Sequence, residues 1–265
     1  MKKRIASIII AVSIAACVAI ACAEAVSTLP LNDLSGYAAK LSEELSWNED
    51  MLLESIAWKE ASQRLDESAH IWISEAKDLL AQYFLDIYGE NIAEKVASIG
   101  IYVCDDMPEF IGGFHGGAGD IYINSRDLDG GHVLNICLHE MIHALGVDFY
   151  EDERGILSNA FYEGCAEALA GRILMEYGYD YEDASTYGEL VEYAQIFLEC
   201  DDHLLTDIIV KEQRDIAGRI DGILEPGAGE QFLTALTLVN GGGSEDRDVL
   251  ENIEIIVHAY ERALR

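Results

Sequence analysis

Val133-Leu134-Asn135-Ile136-Cys137-Leu138-His139-Glu140-Met141-Ile142-His143-Ala144-Leu145-Gly146 is the stretch from which the rest of this 265-residue chain is best read. Its apolar residues recur at helical spacing, and Gly146 stands where a helix C-cap falls. On a helix, residues four apart share a face, so His139 and His143 present two imidazoles from adjacent turns while Glu140 projects beside them. This H-E-x-x-H arrangement can bind one metal ion and keep a carboxylate next to its open coordination position.

A second helical run begins near Ser158 and carries Glu163 and Glu167, again four apart and on one face. A hydrolytic zinc site takes three protein ligands and leaves a fourth position open, and Glu163 is the candidate for the third ligand. The ordinary alternative, in a chain with 49 acidic residues, is a solvated carboxylate on an acidic helix.

His139-Glu140-x-x-His143 followed by Glu163-Gly164-Cys165-Ala166-Glu167-Ala168-Leu169 resembles the gluzincin metallopeptidases, the class of thermolysin and the zinc aminopeptidases. The resemblance implies one zinc ion on His139, His143 and Glu163, with Glu140 as general base. It also implies that Glu167 orients His139 from behind, which fits the need to fix the tautomer of a metal-bound imidazole. The chemistry implied is hydrolysis by a zinc-activated water that gives its proton to Glu140. The fold implied is zincin-like. The similarity covers about 30 residues, within the range of a local motif. Two departures stand out: Tyr162 occupies a position where the family usually has Asn, and no aminopeptidase-type exopeptidase signature lies upstream. The metzincin pattern is excluded by spacing, because Phe149 stands where its third ligand would fall and Asp148 is one position short. Gluzincins also supply a Tyr or His to the tetrahedral oxyanion. Tyr187, Tyr193 and His203 are the candidates downstream, and spacing does not choose among them.

Upstream, Ile99-Gly100-Ile101-Tyr102-Val103 and Asp120-Ile121-Tyr122-Ile123-Asn124 alternate in the manner of short strands, joined by the glycine-rich turn 112–119. In a zincin-like fold such a strand lies above the metal helix and an extended peptide pairs with its edge. The turn lacks the G-K-[ST] context of a phosphate loop, so nucleotide binding is not indicated. His115 and His132 are further candidates for a ligand or a substrate contact, or are simply solvated loop histidines.

The N-terminus reads as an address. Met1-Lys2-Lys3-Arg4 and the apolar run from Ile5 to Ala21 have the form of a secretory signal, giving residues 1–22 as a leader. Cys17 and Cys22 each follow small residues as in a bacterial lipobox, and Ala21-Cys22-Ala23 also resembles an ordinary cleavage site. Lipid anchoring and free secretion stay open as alternatives. Four cysteines follow the leader, Cys104, Cys137, Cys165 and Cys200, with three full disulfide pairings or free thiols as the alternatives.

Half of the residues are hydrophobic and only 3 are proline, which suits a folded body around a cleft. The formal charge is −32, and without Lys2, Lys3 and Arg4 it is −35. Nucleic acid and anionic membrane surfaces are repelled by such a field, so neither is an expected partner. The partner that the gluzincin resemblance implies is a peptide or protein substrate, and the expected membrane link is a possible N-terminal lipid.

The fold class expected is α+β and mainly helical, with a small mixed sheet over the metal helix. Helical spacing runs over 31–46, 51–65, 68–88, 187–198, 204–210, 230–238 and 245–264, with Ser244 or Asp246 able to cap the last. Breaks fall at 225–229 and 240–244. The expected organisation is an N-terminal lobe, 23–146, carrying the two histidines, and a helical C-terminal lobe, 147–265, carrying Glu163. Two other functional classes fit the same residues: a noncatalytic surface protein that keeps a metal fold for binding, and a zinc amidase acting on a cell-wall or other nonpeptide bond. Intact Glu140 weighs against the first, since a structural site has no use for a carboxylate beside the metal.

Overall fold

The computed structural model describes residues 29–66, 70–88, 90–116, 119–128, 132–146, 155–179, 181, 188–211, 213, 215–240 and 246–265. Residues 1–28, which include the expected leader with Cys17 and Cys22, and Asp148, Phe149, Tyr187 and Ser244 lie outside them.

The chain is mainly helical with one small mixed sheet. Helix α1 (Ala38–Ala61) leads into β1 (Gln63–Arg64), then α2 (Ile71–Tyr88), α3 (Glu90–Ser98), β2 (Gly100–Cys104), β3 (Gly113–His115) and β4 (Asp120–Asn124). Six helices follow: α4 (Val133–Ala144), α5 (Gly155–Glu176), α6 (Gly188–Cys200), α7 (Ile216–Ile223), α8 (Ala228–Leu238) and α9 (Arg247–Leu264), with a π-helical turn at Thr206–Val210.

Sheet order is β1-β2-β4-β3. The central pair β2 and β4 is parallel, with Ile101 beside Ile121 and Val103 beside Ile123; both outer strands run antiparallel to their neighbours. The pleat separates two environments. Ile101, Ile121 and Ile123 are fully buried in the main core, while Tyr102, Tyr122 and Phe114 stack on the other face, where Trp58 of α1 covers Phe114. Helix α4 packs against β3 and β4 and against α2 and α5, so it is surrounded. This is why Val133 to Ala144 reads as apolar almost all round, and why ten of its residues are buried.

The main apolar cluster includes residues from Leu34 to Tyr260. Its two ends are stitched together by asparagines. The buried Asn252 of α9 accepts from the Asn32 N–H at 2.6 Å and donates to the Asn32 carbonyl at 3.0 Å, imitating a strand partner. Nearby, Glu225 accepts from the Leu29 N–H at 2.9 Å, and Tyr37 donates to Asp246. Asp246 is the N-cap residue of α9, but its carboxylate makes no bond to the helix; it is engaged by Tyr37 instead.

Several expectations from spacing are corrected. The stretches 31–46 and 51–65 do not form two helices: one helix runs through Trp47-Asn48-Glu49-Asp50, which holds neither glycine nor proline to stop it. It ends at Ala61, because Ser62 turns extended and Gln63 and Arg64 pair with β2. The turn at 112–119 contains β3, a true edge strand whose glycines hid its pattern. Helices α3 and α7 are additional. Of the two alternatives left open for the cysteines, Cys104, Cys137, Cys165 and Cys200 are free thiols, the first three buried. The other elements fall where expected, with Gly146 at φ 118° closing α4 through its N–H to the His143 carbonyl.

Candidate metal centre

Helices α4 and α5 lie side by side, and their facing residues meet in a buried polar cluster. His139 Nε2 stands 3.0 Å from His143 Nε2 and 3.1 Å from Glu163 Oε2, and His143 Nε2 stands 3.5 Å from the same oxygen. These three atoms converge, each from a residue that can ligate a metal ion. His139 and His143 are buried, and the Glu163 side chain is only 17% exposed.

Glu167 stands one turn beyond Glu163 and closes the back of the cluster. Its Oε2 lies 2.9 Å from His139 Nδ1. With the Nδ1 proton committed to that carboxylate, the Nε2 lone pair is left for the triangle. Glu167 Oε1 in turn accepts from the Tyr181 hydroxyl at 2.7 Å and from Asn135 Nδ2 at 3.1 Å. Asn135 belongs to α4, one turn before His139, and its Oδ1 is buried without a hydrogen-bond partner.

Glu140 faces the other way, toward the sheet. A Cβ placed on Gly113 of β3 would stand 3.0 Å from Glu140 Cγ and 3.0 Å from Ile136 Cγ2. The edge strand therefore lies directly on the carboxylate arm, and only glycine permits that approach. The buried Asn124 side chain pins the preceding loop by donating to the Pro108 and Ile111 carbonyls.

The electrostatics describe a site built for positive charge. Burial works against protonation of His139, but its hydrogen bonds to Glu163 and Glu167 outweigh that and hold the imidazole well above its ordinary range. His143 is raised as well, with burial opposed by the charge of Glu163. Burial would raise Glu163, yet the neighbouring His143 and His139 hold its carboxyl well below the usual range. Glu140 behaves differently: burial pushes it up to about 7, against the pull of the two imidazoles. Glu163 and Glu167 thus stay ionised beside two imidazoles that hold their protons more tightly than a free imidazole does.

The structure thus brings together His139, Glu140, His143, Glu163 and Glu167. The other described candidates are not among the converging ligand atoms. His132 is exposed just ahead of α4, Tyr193 packs beside the main core, and His203 is exposed in the turn after α6. His115 is buried on β3, in register with Ile121, hence on the face of the sheet that carries α4. Spacing missed Tyr181, Asn135, Gly113 and Gly171. A signal existed for Gly171. Gly164 and Gly171 interrupt the interior of α5, where glycine is unfavourable by about 1 kcal/mol against alanine, so each marks a close approach. A Cβ on Gly164 would meet the Leu190 carbonyl oxygen at 2.6 Å, and one on Gly171 would meet the Tyr181 ring at 2.9 Å.

No protein family, curated protein or solved structure matches this chain.

Proposed function

We propose that this chain is an exported zinc metallopeptidase of gluzincin type on a zincin-like fold, with His139, His143 and Glu163 as zinc ligands and Glu140 as general base. The observation that carries the reading is the triangle of ligand atoms with a buried glutamate beside it. For a tetrahedral ion bonded at about 2.0–2.1 Å, ligand atoms stand about 3.3 Å apart. The three separations, 3.0, 3.1 and 3.5 Å, straddle that value before any ion is placed. Two imidazole nitrogens and a carboxylate oxygen form a donor set that zinc favours, and a carboxylate is poor company for Cu(I) or an iron–sulfur cluster.

Bound zinc would supply Lewis acidity, lowering the pKa of a water and polarising a carbonyl. The chain's own residues do the rest. Glu140, pushed up to about 7 by burial in the metal-free protein, is suited to take a proton near neutral pH and to return it to a leaving amine. Strand β3 ends the sheet among the described residues, so its outer edge is placed to pair with an extended peptide and hold it over Glu140. Gly113 keeps that strand close to the carboxylate. Glu167 and its partners keep the His139 ring from turning.

The test is metal content and cleavage together. Purified protein should hold about one zinc per chain and cleave a mixed peptide pool. Glu163→Ala should lose the metal, and Glu140→Ala should keep the metal and lose the cleavage. Retention of metal without cleavage of any peptide would favour a binding protein, and cleavage confined to nonpeptide amides would favour the amidase. Absence of zinc from the wild type would overturn the reading.

A further inference from the structure

The groups behind the metal cluster form a chain that runs from α4 through α5 to the segment after it. His139 Nδ1 meets Glu167 Oε2, and Glu167 Oε1 receives Tyr181 and Asn135. Asn135 comes from the same helix as His139, so its position is fixed wherever α4 is fixed. Tyr181 is different: it follows the end of α5 and reaches back over that helix. Its ring lies where a side chain on Gly171 would be, one turn beyond Glu167 on the same face. A glycine in mid-helix and a tyrosine from outside the helix are thus two halves of one contact.

From this geometry we infer that Tyr181 is a positioning residue of the metal centre, and that docking of its ring on Gly171 and binding of the metal by His139 are one coupled equilibrium. The inference rests on the metal reading above. A carboxylate holding only His139 could swing about its side-chain torsions; Tyr181 and Asn135 occupy its second oxygen and hold it in one rotamer. Glu167 is 3% exposed, so loss of the hydroxyl would leave an acceptor lone pair short of a donor beside the ligand. By reciprocity, a metal ion that fixes His139 and Glu167 must strengthen the Tyr181 contact by the factor that the contact strengthens metal binding.

The experiment measures zinc affinity by competition with a chromophoric chelator, using the whole chain in four forms: wild type, Tyr181→Phe, Glu167→Gln and the double variant. Cobalt(II) absorption spectra report ligand geometry separately. Tyr181→Phe removes one oxygen and keeps the ring on Gly171, so the metal-free protein should unfold at nearly the wild-type temperature. Its zinc affinity should fall about tenfold, the lower end of what loss of a group supporting a metal ligand costs. Its cobalt spectrum should shift. In the double variant the effect of Tyr181→Phe should vanish, because the hydroxyl acts only through Glu167. Gly171→Ala should weaken zinc as well by displacing the ring. Wild-type affinity and spectrum in Tyr181→Phe, or additivity with Glu167→Gln, would overturn the inference while leaving the three ligands in place. A wild type without zinc would overturn the metal reading and this inference with it, and that result is visible before any variant is made.

Discussion

Replacing Gly113 with alanine tests whether the sheet, as well as helix α4, sets the position of Glu140, the proposed general base. The new methyl group would stand 3.0 Å from Glu140 Cγ, 3.0 Å from Ile136 Cγ2 and 3.1 Å from the Tyr122 carbonyl oxygen. Carbon atoms pack best at about 3.5–4.0 Å, so two contacts are short by about 0.5 Å or more. Tyr122 O belongs to the neighbouring strand and cannot yield without breaking the ladder, so Glu140 and Ile136 must move. Overpacking of this size costs about 1–3 kcal/mol of stability. The larger effect falls on chemistry. A misplacement of about 1 Å can cost on the order of a hundredfold in rate, so half of that gives a kcat on the order of tenfold lower. His139, His143 and Glu163 are absent from the crowded contacts, so zinc content should stay at the wild-type value. The assay is steady-state cleavage of a fluorogenic peptide at saturating substrate, alongside metal analysis. Full kcat with the metal retained would refute the claim that β3 seats Glu140, and loss of the metal would show that the strand supports the ligands instead.

Glu140→Gln should keep zinc and lower kcat by at least about a hundredfold, since an amide cannot take the proton; single-turnover cleavage checks this. Zinc affinity should fall as pH decreases, because the ion must displace protons from His139 and His143. Both are held above the ordinary imidazole value, so the fall should begin at higher pH than for an unperturbed histidine pair, which chelator competition from pH 5 to 9 would reveal. Arg219 binds Asp201 at 2.7 and 2.8 Å and Asp207 at 2.6 Å, and Arg219→Met should cost up to about 3 kcal/mol in urea unfolding by leaving the mostly buried Asp201 with only Tyr260 and the His203 N–H, and Asp207 with only Lys211. Burial opposes ionisation of Asp201, but Arg219 and Tyr260 hold it below the usual range. Its contribution is therefore complete above about pH 4 and lost as pH falls through its lower folded value, and the variant should show a shallower acid limb. His115→Ala should leave zinc content unchanged and raise the peptide KM, since the residue sits on the strand proposed to hold substrate; an unchanged KM would remove it from the binding edge.

The parts of the site legible in the sequence were those with strict helical spacing. His139, Glu140, His143, Glu163 and Glu167 lie on two helices, and four-residue intervals fix which faces they share. The supporting residues come from elements whose approach no local pattern encodes. Tyr181 reaches Glu167 across a turn and Gly113 reaches Glu140 from another strand. The same contrast holds for the fold. Strands β2 and β4 alternate or are apolar and were visible, whereas β3 has one clear apolar side chain, Phe114, between glycines and was hidden in a turn. Spacing separates 31–46 from 51–65, yet α1 runs through both because Trp47-Asn48-Glu49-Asp50 holds neither glycine nor proline to stop it. The free cysteines follow from burial: Cys137 and Cys165 sit in the packed core as small apolar groups.

The asparagine pair joining Asn32 to Asn252 has a kinetic consequence. Its partners are 220 positions apart, so the contact closes nearly the whole chain into one loop. Closing a loop of that length costs more chain entropy than forming a local helix does. A chain still emerging from a ribosome, or threading head first through a pore, cannot make this closure until α9 has arrived. Separating the N-terminal segment from α9 exposes the acceptor and donor of Asn252 together. Protection of the Asn32 amide against hydrogen exchange would report that opening well before the strands around Gly113 loosen.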